Sequence, residues 1–93
     1  MRESTVEHRL VTEVKKRGGI ALKLVSPGID GVPDRLVLLP DGKFAFVEVK
    51  APGKQLRPLQ VRRIGQLRAL GYLAYCLDRP DQIGGILDEI QST

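Results

Sequence analysis

A single cysteine and a single histidine among 93 residues cannot build a zinc cage, so any metal this chain binds must be held by oxygen ligands. Nor is there a run of eighteen apolar residues, or a charged stretch leading into an apolar one, so no transmembrane or secretory segment is expected. Ser26 has no histidine partner pattern that would make it a nucleophile. The lone thiol, Cys76, lies inside the apolar run YLAYCL. It reads as a buried cysteine of a reducing compartment, and the expected location is cytoplasmic. Length sets a further bound: the chain is read as one domain, 1–93, with no room for a separate regulatory one.

What the chain does have is an ordinary 42% of hydrophobic residues, enough for a globular core, and an excess of positive charge. Fifteen Lys and Arg against eleven Asp and Glu give a net charge of +4. Basicity of this degree favours a polyanionic partner, although many small proteins share it.

Hydrophobic spacing divides the chain into seven elements. STVEHRLVTEVKKR, residues 4–17, carries Val6, Leu10, Val11 and Val14 on one helical face, and Gly18-Gly19 ends it. Ser4 and Glu7 have the spacing of a capping box, which offers Glu7 a structural role. IALKLV, residues 20–25, reads as a strand in which Lys23 is the polar member. Residues 34–39 and 43–50 form a strand pair around Pro40-Asp41-Gly42. A helix begins near Pro58 and runs to Leu70, with Leu59, Ile64, Leu67 and Leu70 in its buried stripe and Arg62, Arg63 and Arg68 exposed. YLAYCL, residues 72–77, is the fourth strand; there Tyr72 and Tyr75 read as packing residues, not as stacking platforms for bases. PDQIGGILDEI is the last helix, buried through Ile83, Ile86, Leu87 and Ile90. The order is α-β-β-β-α-β-α. The helical crossover between the third and fourth strands favours their parallel pairing.

The chemistry concentrates in GVPDRLVLLPDGKFAFVEVKAPG. A type I turn with Pro40 and Asp41 at its centre, followed by a left-handed Gly42, makes a three-residue hairpin loop in which Leu39 faces Lys43. That register puts Asp34 opposite Glu48, on one face and about 5 Å apart at their β-carbons. Lys50 shares the face by alternation. A two-residue loop would pair Asp34 with Val49 and separate the carboxylates. Two close carboxylates repel unless a cation lies between them, and Mg²⁺ suits a few carboxylate oxygens completed by water and substrate phosphate. With an ammonium nearby to orient water and offset phosphate charge, the pattern implies a metal-dependent phosphodiesterase site. Coincidental surface charges are the bland alternative.

Asp34 at the start of the second strand and Glu48-Val49-Lys50 at the end of the third resemble the PD-(D/E)xK nuclease superfamily. Within it the chain most resembles the VRR-NUC (virus-type replication-repair nuclease) family, through Glu7, GVPDR at 31–35, FVEVKAPG at 46–53 and Gln60, over roughly residues 4–77. The resemblance implies an α/β fold with a restriction-endonuclease-like core, a small mixed sheet flanked by helices. It implies that Asp34, Glu48 and the Val49 carbonyl bind Mg²⁺ or Mn²⁺, that Lys50 is the catalytic lysine, and that Glu7 supports the metal directly or through water. Gln60 would orient Lys50 or a phosphate; its plainer reading is a polar residue at a helix end. Lys23, Lys54, Arg57 and Arg62 could follow a DNA backbone, or could simply be solvated.

The expected activity is that of a metal-dependent DNA endonuclease. By resemblance it acts as a homodimer on branched DNA such as four-way junctions, in a phage or prophage setting. A flap or single-strand nuclease is the runner-up within the enzyme class, and a non-catalytic DNA-binding module of the same fold is the rival outside it.

Overall fold

The computed structural model covers residues 1–93. Helix α1 (Glu3–Lys16) is followed by strands β1 (Ile20–Lys23), β2 (Arg35–Leu39) and β3 (Lys43–Val49), helix α2 (Pro58–Ala69), strand β4 (Ala74–Leu77) and helix α3 (Ile83–Gln91). Short 3₁₀ turns at Pro40–Gly42 and Pro80–Gln82 precede β3 and α3. The α-β-β-β-α-β-α order is the one the sequence implies.

Four strands form one mixed sheet in the order β1-β2-β3-β4. β1 and β2 pair antiparallel, as do β2 and β3, while β4 returns through α2 to lie parallel to β3. Leu39 pairs with Lys43, so the hairpin loop has the expected three residues. Its geometry differs from the expectation in one respect. Asp41 is itself left-handed (φ 67°, ψ 26°), as is Gly42 (φ 72°), so the type I turn is not formed. Aspartate tolerates that region because its short polar side chain can bond locally.

The core lies on one face of the sheet. Val6, Leu10 and Val14 recur every four residues along α1 and are fully buried, with Ile83, Leu87 and Ile90 of α3 beside them. Both helices pack on Val37, Leu39, Ala45, Val47, Val49 and Leu77, alternate residues of β2, β3 and β4. Ser4 does not cap α1. Arg2 holds the N-cap position and no side chain bonds there, so the capping-box role for Glu7 is not realised; its carboxylate is drawn instead to cations on β1 and β2.

Two burial expectations are corrected on the other face. Leu70 is 68% exposed, because α2 ends at Ala69 and its stripe over the sheet runs through Gln60, Ile64 and Leu67. Cys76 is half-buried, since β4 is an edge strand paired only with β3. Arg63 and Arg68 also depart from simple exposure: their guanidinium Nε atoms donate to the carbonyls of Asp30 (3.1 Å) and Ala74 (2.9 Å).

Candidate active site

Arg35 pairs with Val47, so Asp34, one residue earlier, stands opposite Glu48. The two carboxylates meet where β2 begins and β3 ends, as the hairpin register requires. The Val49 amide donates to Asp34 Oδ1 (3.2 Å), and the Asp34 carbonyl accepts from the Leu24 amide (2.8 Å). Asp34 is therefore fixed between β1 and β3.

Glu48 is only 5% exposed. Its Oε2 accepts a hydrogen bond from Gln60 Nε2 (3.2 Å), a side chain buried with it. Gln60 uses its other end as well, Oε1 accepting the Arg57 amide (2.8 Å) at the first turn of α2. One glutamine thus caps the helix and orients a carboxylate. The partner expected for it, Lys50 or a phosphate, is here Glu48.

Burial and mutual repulsion act on both acids. Desolvation, reinforced by the charge of Asp34 and opposed by that of Lys50, pushes the Glu48 carboxyl up to about 7. Asp34 is also raised, chiefly by burial and further by Glu7, although the Val49 amide opposes the shift. A pair of acids that both resist ionisation is short of positive charge.

Glu7 approaches from α1, on the opposite side of the sheet end. Its Oε2 accepts from Arg35 Nε (3.0 Å) and lies 2.9 Å from Arg35 Nη2 and 3.6 Å from Lys23 Nζ. Arg35 is anchored in turn to the Ala21 carbonyl (2.9 Å). Sequence reasoning missed Arg35. Its signal was present, as the residue after Asp34 that alternation turns toward α1. Glu3 was missed too; its charge from the first turn of α1 adds to the upward push on Glu48.

Among the expected DNA-contacting residues, Lys23 is partly engaged by Glu7. Lys54, Arg57 and Arg62 are exposed and make no ion pair. They lie on the loop and helix that follow Lys50, on the same side as Gln60. Gly31 draws the preceding loop against that helix. It is left-handed (φ +80°), and a Cβ there would lie 2.7 Å from the Leu59 carbonyl oxygen. No surface cleft encloses the carboxylates; the clefts are lined elsewhere, as by Phe44, Tyr72 and their neighbours.

No three His, Cys, Asp or Glu side chains converge on one point. A cation at this sheet end would have the two carboxylates and main-chain oxygen as its protein donors. Such a set fits Mg²⁺, which keeps several waters and needs few protein ligands. A divalent cation would also relieve the charge deficit that raises both acids.

Comparison with known proteins adds an independent line. The family model of the VRR-NUC domain matches residues 15–78, a stretch that holds Asp34, Glu48, Lys50 and Gln60 but begins after Glu7. A protein of Acyrthosiphon pisum secondary endosymbiont phage 1, "Putative nuclease p44", is 56% identical over 81 residues, 87% of this chain and 87% of its own length. A solved VRR-NUC domain structure superposes with a TM-score of 0.85 at 29% identity, covering 92% of this chain and 94% of that one.

Proposed function

Since the chain belongs to the VRR-NUC nuclease family, we propose that it is a metal-dependent endonuclease that hydrolyses phosphodiester bonds of DNA at Asp34, Glu48 and Lys50. The observation that carries this reading is the opposed pair of carboxylates, both raised in proton affinity, with the charge of Lys50 acting on Glu48 and that of Glu7 on Asp34. Asp34, Glu48 and the Val49 carbonyl would hold Mg²⁺ or Mn²⁺, with Glu7 supporting them. When bound, the ion polarises the scissile phosphate and acidifies a water.

The remaining work falls to the chain itself. Gln60 keeps Glu48 in its ligating orientation through the Nε2 bond. Val49 does the same for Asp34 through its amide. Lys50 orients the attacking water and offsets charge developing on the phosphate. Lys23, Lys54, Arg57 and Arg62 contact the DNA backbone without reading its sequence. The open site admits a duplex or a branch point.

We propose further that the enzyme is a homodimer acting on branched DNA. That part rests on the family resemblance and on stoichiometry, because cutting two opposed strands takes two sites and each chain has one. Plasmid nicking with Mg²⁺, with Mn²⁺ and with EDTA tests the activity; cutting is expected with either ion, and undiminished cutting in EDTA would overturn the metal role. Four-way junction, flap and linear duplex substrates, compared under single turnover, test the preference. Equal rates on all three would end the branched-substrate reading.

A further inference from the structure

Arg35 is held more tightly than any other cation beside the carboxylate pair, yet the mechanism gives it no part. Its side chain is 15% exposed. All three guanidinium nitrogens are engaged: Nε donates to Glu7 Oε2 (3.0 Å), Nη2 lies 2.9 Å from the same oxygen, and Nη1 donates to the Ala21 carbonyl (2.9 Å). Arg35 also stands directly opposite Lys23 in the pairing of β1 with β2. Like charges so placed repel, and Glu7 is the anion set between them, its Oε2 lying 3.6 Å from Lys23 Nζ.

The contacts to Glu7 are one-sided. An arginine and a carboxylate frequently meet fork to fork, one nitrogen to each oxygen, whereas here both nitrogens and the lysine converge on Oε2. Glu7 Oε1 has no protein partner. It is not a buried orphan either, since no buried side-chain nitrogen or oxygen lacks a hydrogen bond, so water reaches it. The carboxylate also lies within electrostatic range of the site: burial holds the Asp34 carboxyl above its ordinary range, and the charge of Glu7 pushes it further up. Yet Glu7 does not converge with Asp34 and Glu48 on one point, and two cations already face its charge.

We propose that Arg35 is a positioning residue of the nuclease site: it anchors Glu7 by one oxygen and so leaves the other for a water of the ion that Asp34 and Glu48 would hold. The inference rests on the metal-dependent reading above and selects water over direct ligation for Glu7. Mg²⁺ takes one or two carboxylates and keeps several waters. Asp34 and Glu48 already fill that quota, so a third carboxylate acts from outside the ligand shell, where a fixed acceptor orients bound water. Arginine suits the task because its planar fork sets a direction, whereas lysine supplies a point charge alone. Its place in the chain matters as well. Arg35 follows Asp34, so one peptide unit turns a metal ligand to one face of the sheet and the anchor of Glu7 to the other. A tether with no such duty exists for comparison: Arg17 Nη1 donates to Asp88 Oδ1 and Gln91 Oε1 (2.7 Å each), joining the end of α1 to α3, about 15 Å along the helix from Glu7.

Calorimetric titration of Mg²⁺ into the full chain without DNA tests this, with thermal melts in EDTA to verify folding. Arg35→Lys keeps the charge and loses the fork, and its Mg²⁺ affinity should fall about 10-fold or more, the usual cost of a lost partner outside the ligand shell. Arg35→Gln removes a positive charge, which by Coulomb's law alone would tighten binding; weaker binding is expected. Glu7→Gln should lose about 10-fold as well, and in that background Arg35→Lys should cost nothing further, because Arg35 acts through Glu7. If Arg35→Lys unfolds, Arg35→Gln and Glu7→Gln decide the matter. Arg17→Lys should bind Mg²⁺ as the parent does. Unchanged or tighter binding in the Arg35 variants, parent-like binding in Glu7→Gln, losses that add between the two sites, or an equal loss in Arg17→Lys overturns the role of Arg35 and leaves the metal-dependent reading standing. A parent that binds no Mg²⁺ overturns both.

Discussion

Glu48 and Asp34 are held by unlike partners, and their variants should separate what each does. In Asp34→Asn the amide oxygen can still accept the Val49 N–H bond, so the fold should survive while the charge facing the ion is lost. Calorimetry should then show clearly weaker Mg²⁺ binding. Lys50→Met should leave Mg²⁺ affinity intact or slightly raised, by removing a nearby positive charge, and lower kcat by about 10² to 10³. Wild-type cleavage by Lys50→Met would remove the lysine from the mechanism. Glu48 also has a signature in stability. Its carboxyl is raised from 4.5 to about 7, so between those values the folded protein keeps a proton that the unfolded chain has lost. For a raised acid the sign is unfavourable to the ionised fold: the contribution of Glu48 to metal-free stability should be fully present below pH 4.5 and be lost as pH rises through about 7. Thermal melts in EDTA across that window should show the fall in the parent and a smaller one in Glu48→Gln. Added Mg²⁺ should restore stability chiefly at the upper end, where its ligands are deprotonated.

At the scale of elements, the site depends on how closely the loop before β2 meets α2. Gly31 makes that approach possible, and Arg63 fastens it through the Asp30 carbonyl. Gly31→Ala combines left-handed strain with a backbone clash and should cost about 2–4 kcal/mol. Gly42→Ala meets nothing within 4 Å at a similar φ and should cost only about 1–2 kcal/mol. Denaturant melts of the two variants make the comparison; equal losses would mean that the loop yields and the contact with Leu59 is not a constraint. The register of β2 with β3 was legible beforehand, because Pro40-Asp41-Gly42 sets a loop length and strand alternation does the rest. The stripe of α2 was not, since Gln60 looks like a solvent residue until Glu48 is placed beneath it.

For the whole molecule, the relevant quantity is the excess of Lys and Arg. If Lys54, Arg57, Arg62 and their neighbours neutralise six to ten phosphates per complex, DNA affinity should drop about 10³-fold or more between roughly 50 and 200 mM salt. Fluorescence anisotropy with an uncut substrate analogue measures it, and a flat response would contradict a phosphate-tracking surface. The chain has no helix long and apolar enough to cross a membrane, so its long apolar runs are accounted for by strands.

The sequence by itself determined what is local: the seven elements, the parallel return of β4 through its helix, and the opposition of Asp34 to Glu48. Each follows from period, turn length or connection, which act over a few residues. Tertiary structure alone decided which distant groups meet. Gln60 reaches Glu48 across 12 residues and Arg35 reaches Glu7 across 28, and no spacing rule specifies such pairs. The raised proton affinity of the two acids likewise exists only once helices and strands have excluded water from them. The sheet is the counterpart: sequence wrote strands that are apolar on both sides, and only the assembled fold revealed that α1 and α3 cover one side while Leu22 and Phe44 stay exposed on the other.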